Sequence, residues 1–201
     1  MVVSLTSWSQ KQKPFSGELT YTIERVDQPD SARAKMLIYA KDSLLKIVNF
    51  NSLTGKQELI KHLTYNKSYL LIETPLQNFA VRTDEHLSKD SVQNFTFHRK
   101  IGSKKIGGLK GKRYLVKLRG VKNELNYFIY PKIASKYANN IALPGLPLLF
   151  YVSAENGLYK YTLESYKESN PPLELFMIPK GFKKVTFDEF AEEFSKLYES
   201  E

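Results

Sequence analysis

Leu143-Pro144-Gly145-Leu146-Pro147-Leu148 and Leu175-Phe176-Met177-Ile178-Pro179-Lys180-Gly181-Phe182 are two apolar, proline-containing signatures that bracket the stretch of chain deciding the fold. Between them lie two runs of strand-forming residues, 148–153 and 158–166, which meet at Asn156-Gly157. This pair tolerates positive φ and suits a tight primed turn. The stretch therefore predicts a β-hairpin, and no catalytic motif accompanies it.

The first signature carries two prolines around a glycine. Pro144 and Pro147 limit strand pairing because proline has no N–H to donate, and Gly145 permits a bend. We therefore expect this signature to bring the chain into the sheet at an edge.

Strands with an apolar and a polar face are predicted upstream. Phe15, Leu19, Tyr21 and Ile23 alternate with polar residues, which is the period of a half-buried strand. Further predicted strands, separated by turn residues, cover 35–40, 44–51, 57–64, 69–74, 79–83, 95–100, 114–118 and 125–130. Residues 84–94 are predicted as a loop or short helix, and 133–140 fit a helix without excluding other structures. The spacing is typical of an antiparallel meander.

The C-terminal residues predict a helix instead. Thr186 followed by Glu189 forms a capping box that marks its start. Apolar residues then recur at helical spacing: Phe187, Phe190, Ala191, Phe194, Leu197 and Tyr198. This pattern predicts an amphipathic helix whose aromatic stripe packs on the sheet.

The fold class predicted from these elements is mainly β, an antiparallel sheet with a C-terminal amphipathic helix. A chain of 201 residues that is 42% hydrophobic can bury one good core, so we predict one domain over residues 10–201. Residues 1–9 end in Ser7-Trp8-Ser9 and are predicted as a signal-peptide remnant, the alternative being a first strand. The expected location is periplasmic or secreted. No run approaches the ~18 apolar residues that span a bilayer.

Positive charge is concentrated in one region. The formal net charge is +9, and residues 91–123 contain ten Lys or Arg but no Asp or Glu. Such a region attracts anions by long-range steering, although a solvated surface without a partner is an equally good interpretation. The candidate residues for anionic head groups are Arg99, Lys100, Lys110, Lys112 and Arg113.

Motifs of catalysis and cofactor binding are missing from the sequence. His62, His86 and His98 lie far apart without ligand spacing, so no metal site is predicted. The cluster of glycines at 107–111 is no phosphate loop, because Ile106 stands at the first glycine position and Arg113 at the Ser/Thr position. We predict no cofactor and no enzyme activity, and the cysteine-free chain forms no disulfide.

A family resemblance rests on three motifs together, namely Lys105-Ile106-Gly107-Gly108-Leu109-Lys110-Gly111-Lys112-Arg113-Tyr114 and the two proline signatures. They resemble uncharacterised secreted families of the GLPGLI type, which are similar in turn to the LolA/LolB lipoprotein-carrier superfamily. Gly111 stands where such relatives often carry a cysteine, and Ala142 where the name-giving motif begins with glycine. The resemblance implies a strongly curved antiparallel sheet, an incomplete LolA-like barrel. Its concave face would be covered by helix and would enclose an apolar ligand such as an acyl chain.

Three functions are predicted as alternatives. The leading one is a non-enzymatic periplasmic or exported binding protein that holds a lipid or lipoprotein acyl chain. Its candidate apolar contacts are Tyr21, Ile23, Tyr39, Phe50 and Leu71, each of which also fits ordinary core packing. The second is an envelope module that binds a protein or polysaccharide through its basic face, without an internal ligand. An intracellular nucleic-acid binder is third, and the export-like N-terminus argues against it.

Overall fold

Within residues 12–28, 32–51, 55–83, 95–138 and 143–198, which the computed structural model describes, the chain forms twelve strands and one α-helix. The strands are β1 (Gly17–Arg25), β2 (Ala34–Lys41), β3 (Leu44–Asn51), β4 (Gly55–His62), β5 (Lys67–Ile72), β6 (Asn78–Arg82), β7 (Phe95–Ile106), β8 (Leu109–Leu118), β9 (Leu125–Tyr130), β10 (Leu146–Ala154), β11 (Gly157–Glu168) and β12 (Phe182–Val185), and the helix is α1 (Phe187–Tyr198). Short 3-10 turns occupy Ser135–Ala138 and Leu173–Phe176. The predictions for residues 1–9 and 84–94 lie outside the described residues.

The strands form one open, curled sheet. Their order is β12-β6-β5-β4-β3-β2-β1-β11-β10-β9-β8-β7, and every neighbouring pair is antiparallel except β12 with β6. β7 and β12 are therefore the outermost strands of the sheet as described. The predicted fold class, a mainly β chain with a curved antiparallel sheet and a C-terminal helix, is confirmed.

Alternation along the strands gives the sheet two different faces. On β1 and β2, Tyr21 pairs with Met36, and Leu19 pairs with Ile38, so these side chains share one face, called the inner face. Leu19, Tyr21 and Ile38 are fully buried there. Because successive residues point to opposite sides of a strand, Tyr39 lies on the other side, called the outer face.

The inner face closes on itself to form the main core. Side chains from both halves of the sheet meet in one cluster, which includes Ile38 from β2, Val116 from β8 and Leu163 from β11. The tip of the β7–β8 hairpin folds against this cluster, since a Cβ added at Gly107 would lie only 2.7 Å from Leu163 Cδ2. Gly107 also has a φ of +54°, so both the close approach and the backbone require glycine.

The end of the sheet that contains β5, β6 and β12 is covered on both faces. On the outer face, Ile178 from the chain after β11 packs against a cluster that includes Leu71 and Ala80. On the inner face, Phe190 of α1 contacts Phe79 of β6, with ring centroids 5.3 Å apart. Of the predicted aromatic stripe, Phe190 packs on the sheet, whereas Phe187 and Phe194 are 51% and 38% exposed.

The start of α1 confirms the predicted capping box. The Thr186 N–H donates to Glu189 Oε2 at 2.7 Å, and the Glu189 N–H donates to Thr186 Oγ1 at 3.2 Å. Two N–H groups at the helix start are therefore satisfied by the pair of side chains.

The predicted hairpin between the signatures is present, but its turn is not primed. Ala154 pairs with Gly157, so the two turn residues are Glu155 and Asn156, and neither has a positive φ. Gly157 has a φ of +142°, and a Cβ there would lie 2.9 Å from Arg25 Nε. The glycine is needed beside the neighbouring strand rather than inside a primed turn.

The expectation that the first signature enters at an edge was wrong, because β10 lies between β9 and β11. The sheet tolerates Pro147 there since its ladder with β11 begins at Leu149 and its ladder with β9 shifts register between Pro147 and Leu149. The carbonyl of Pro147 accepts a hydrogen bond from Tyr21 Oη at 2.8 Å. A proline can thus occupy a central strand at a bulge.

Several strand bounds also differ from the predictions. β7 and β8 run on to meet at Gly107 and Gly108, past the predicted limits 95–100 and 114–118. β12 was not predicted, and the ambiguous residues 133–140 contain one 3-10 turn at Ser135–Ala138.

Candidate functional site

The five predicted head-group residues all belong to one element, the β7–β8 hairpin, called here the basic hairpin (residues 95–118). Its sequence contains no carboxylate. Arg99, Lys100 and Lys110 are exposed, whereas Lys112 and Arg113 are half-buried. The structure therefore brings these five residues onto one hairpin at an edge of the sheet.

Further cations strengthen the positive potential of the basic hairpin. Lys105 lies directly opposite Lys110, so two exposed ammonium groups face the solvent at neighbouring positions. Arg113 Nε donates to Asn126 Oδ1 at 2.7 Å, which fixes the guanidinium without neutralising it. Among the described residues, no ion pair joins a Lys or Arg of the hairpin to a carboxylate. These charges are therefore available to an external anion.

An exposed apolar residue stands among these cations. Between the pairs Arg99–Tyr114 and Ser103–Lys112, β7 has three residues where β8 has one, so the strand bulges. Ile101 lies in this bulge, and its side chain is 98% exposed. Ile101 was not predicted as a site residue, although an isolated isoleucine between Lys100 and Lys104 is visible in the sequence.

Two of the predicted acyl-chain contacts lie on the inner face. Tyr21 is fully buried, and its ring meets Phe150 edge-on with centroids 5.8 Å apart. Burial raises the pKa of the Tyr21 phenol, which stays protonated and bonded to Pro147. Ile23 is partly buried against the same cluster. Both side chains are part of the packed core.

The other three predicted contacts lie on the outer face. Leu71 is buried in the second cluster with Ile60, Tyr39 is half-buried, and Phe50 is 47% exposed. The five residues therefore line no common space, since the sheet itself separates the two groups. Whether any of them contacts a ligand stays a prediction.

A cleft of about 710 Å³ lies at one end of the main core, and none of the predicted site residues lines it. Its walls come from three segments that are distant in sequence, 13–16, 130–133 and 166–169. Phe15, Tyr130 and Tyr166 supply aromatic rings, and Lys13 and Lys132 supply positive charge. No local sequence motif predicts this cleft, because its walls are distant in sequence and come together only in the folded chain.

The described part of the chain shows no sign of a metal site or of a membrane-spanning helix. It contains no group of three or more His, Cys, Asp or Glu side chains that could hold a metal ion. It also contains no helix with the length and hydropathy needed to cross a membrane.

Comparison of the sequence with protein-family models finds no matching family, and comparison with curated proteins finds no match either.

Proposed function

We propose that this chain is a non-enzymatic binding protein of the cell envelope, periplasmic or secreted, which attaches to anionic lipid surfaces through the basic hairpin. The observation that carries the proposal is Ile101, 98% exposed in the middle of a hairpin rich in Lys and Arg and without carboxylates. An apolar side chain flanked by cations is the combination that favours the interface of an anionic bilayer.

The free energies contributed by charge attraction and by apolar burial are large enough to attach the hairpin to a membrane. Each Lys or Arg close to an anionic surface contributes about 1 kcal/mol, and the attraction falls with added salt. Burying one isoleucine side chain contributes about 1.5–3 kcal/mol. Charges would therefore bring the hairpin to the surface, and Ile101 would enter the head-group region. The binding would be reversible, because a single short apolar side chain is a weak anchor.

The packing of the inner face bears on the choice between the two leading functions predicted from the sequence. A carrier that holds an acyl chain inside the sheet needs an apolar space there, and Tyr21 instead fills its position with a bonded, fully buried side chain. This packing supports attachment through the surface over storage in the interior. Ile101 supports a lipid surface over a hydrophilic polysaccharide, which would leave that side chain without a partner.

Charge reversal on the hairpin tests the proposal. We expect K104E/K105E/K110E to bind phosphatidylglycerol-containing vesicles at least about tenfold more weakly than wild type in co-sedimentation at about 0.05 M salt. All three lysines are exposed, so the fold should tolerate the changes. Lys105 and Lys110 also remain a like-charged pair, which leaves their cross-strand repulsion unchanged.

The matched control is K180E/K184E/K196E, which changes the net charge equally at exposed lysines outside the hairpin. We expect it to retain most of the binding. An equal loss in both variants, or undiminished binding of the hairpin variant, would overturn the proposal. Binding to purely phosphatidylcholine vesicles as strong as to anionic vesicles would also contradict it.

A further inference from the structure

Backbone hydrogen bonds join the walls of the cleft at the end of the main core. The Lys13 N–H donates to the Lys132 carbonyl at 3.1 Å, and the Ser169 N–H donates to the Ser16 carbonyl at 3.3 Å. These bonds fix three segments of the chain relative to one another. The volume of about 710 Å³ falls in the range of small-molecule sites.

The aromatic residues of the cleft form its floor and are held by contacts between their rings. Phe15 is buried and stacks on Tyr166, with ring centroids 5.4 Å apart, and it meets Tyr137 edge-on at 5.6 Å. Tyr130 and Tyr166 are half-buried, so part of each side chain reaches solvent. A flat apolar surface of this kind suits a ring placed against it.

The phenol of Tyr166 and the carboxylate of Glu168 are hydrogen-bonded to each other in the cleft. Tyr166 Oη donates a hydrogen bond to Glu168 Oε1. Burial and then this bond raise the pKa of Tyr166, so the phenol stays protonated and its hydrogen points at Glu168. The second oxygen of Glu168 accepts no hydrogen bond from the described residues and can accept one from a ligand hydroxyl.

The rim of the cleft is positively charged. Lys13 and Lys132 are exposed and form no ion pair with any carboxylate of the described residues. Ser16 and Ser169 add hydroxyl groups that donate and accept hydrogen bonds. Five of the ten lining residues are thus charged residues or serines, and the other five are aromatic or apolar.

From this lining we infer that the cleft binds an acidic saccharide, whose ring lies against Tyr130 and Tyr166 and whose carboxylate meets Lys13 and Lys132. A pyranose has an apolar C–H face and a rim of hydroxyl groups, which matches the aromatic floor and the polar partners around it. An alkyl chain fits worse, because it would cover Lys13, Lys132 and Glu168 without replacing their water. The inference is independent of the basic hairpin, which shares no residue with the cleft.

Calorimetric titration with digalacturonate at about 0.15 M salt tests this inference. We expect saturable binding to the wild type, and binding about tenfold weaker for K13Q/K132Q. The backbone bond between residues 13 and 132 does not use the side chains, so this variant should keep the walls of the cleft in place. Tyr166→Phe removes only the hydroxyl, whose hydrogen bond positions Glu168, and it should also weaken binding.

Two comparisons make the experiment specific. K104Q/K110Q removes the same number of charges from the basic hairpin and should leave digalacturonate binding unchanged, whereas an equal loss would reveal general charge attraction. Maltose, which has no carboxylate, should bind much more weakly than digalacturonate. Absence of saturable digalacturonate binding, or its displacement by laurate but not by galacturonate, would overturn the inference.

Discussion

Tyr21 shows how the alternating pattern of β1 places a side chain in the core. Its aromatic ring is fully buried, and its hydroxyl reaches across to the carbonyl of Pro147 at 2.8 Å. A buried phenol without a partner would cost about 1–3 kcal/mol, so this bond decides whether the tyrosine is tolerated. The same bond satisfies a carbonyl of β10 next to the shift in its ladder with β9.

We therefore predict that Tyr21→Phe lowers the free energy of unfolding by about 1–2 kcal/mol, because the Pro147 carbonyl loses its donor in the interior. Urea denaturation followed by circular dichroism measures the change. Tyr65→Phe is the control, since Tyr65 is 70% exposed and should lose less than about 0.5 kcal/mol. Equal stability of Tyr21→Phe and the wild type would show that the bond contributes nothing.

The sequence predicts the positions of some of these side chains but not of others. Alternation along β1 predicted correctly that Tyr21 and Ile23 point to one face. It could not place Leu71 on the opposite face, because the relation between strands depends on the registers of all the pairs between them. The position of Ile101 among lysines is visible in the sequence, but its degree of exposure follows from the bulge in β7.

At the scale of elements, β3 and β4 are joined by charge as well as by backbone bonds. Glu58 is buried to 8% exposure and lies 2.7 Å from Lys46 Nζ, with Lys56 Nζ forming a second ion pair. Burial raises the pKa of the Glu58 carboxyl, but the hydrogen bonds from Lys46 and Lys56 outweigh it, so the pKa falls below its ordinary value. The ionised form is thus favoured in the folded state.

A pH dependence follows from this lowered pKa. A carboxyl whose pKa is lower in the folded state stabilises the fold above its ordinary pKa, and this contribution is lost as the pH falls through the folded-state value. We predict that Glu58→Gln costs about 1–2 kcal/mol near neutral pH and that the gap to wild type closes as the pH falls below the ordinary pKa of a glutamate carboxyl. Urea denaturation across this pH range measures the gap.

The control for this prediction is Glu155→Gln in the exposed β10–β11 turn. It should match the wild type at every pH within about 0.5 kcal/mol. A Glu58→Gln gap that stays constant from neutral to acid pH would contradict the assigned ion pairs.

Elements were predictable where local chemistry decides them. The side chains of Thr186 and Glu189 fix the helix start, and turn residues fix the bounds of β3 and β9. β12 was not predicted, because its four residues form a strand by pairing with β6, which lies about a hundred residues earlier in the chain. The extension of β7 and β8 was hidden by lysines and glycines, which have low strand propensity.

At the scale of the whole molecule, the two edges of the sheet differ in charge. The basic hairpin forms one edge. The other edge, formed by β12 and α1, is close to neutral, because Lys183, Lys184 and Lys196 balance most of the charge of Asp188, Glu189, Glu192 and Glu193. An anionic surface would therefore attract the hairpin more strongly than the opposite edge, which orients the molecule before contact.

Lysines on an outermost strand also have a structural explanation, because they prevent pairing with the edge of another sheet. That explanation accounts for Lys104 and Lys105 but not for Ile101, an apolar side chain 98% exposed in the bulge. Ile101 is therefore the feature that separates a protected edge from a lipid-binding one.

The environment of residue 101 during binding shows directly whether Ile101 enters an anionic lipid surface. The chain contains no cysteine, so Ile101→Cys carries a polarity-sensitive nitrobenzoxadiazole label at that position alone. With phosphatidylglycerol vesicles we predict a blue-shifted, brighter emission that reverses on adding about 1 M salt, and no change for the label on Leu173→Cys, a residue 53% exposed outside the hairpin. Vesicle-bound protein whose label at position 101 still reports water would contradict the account.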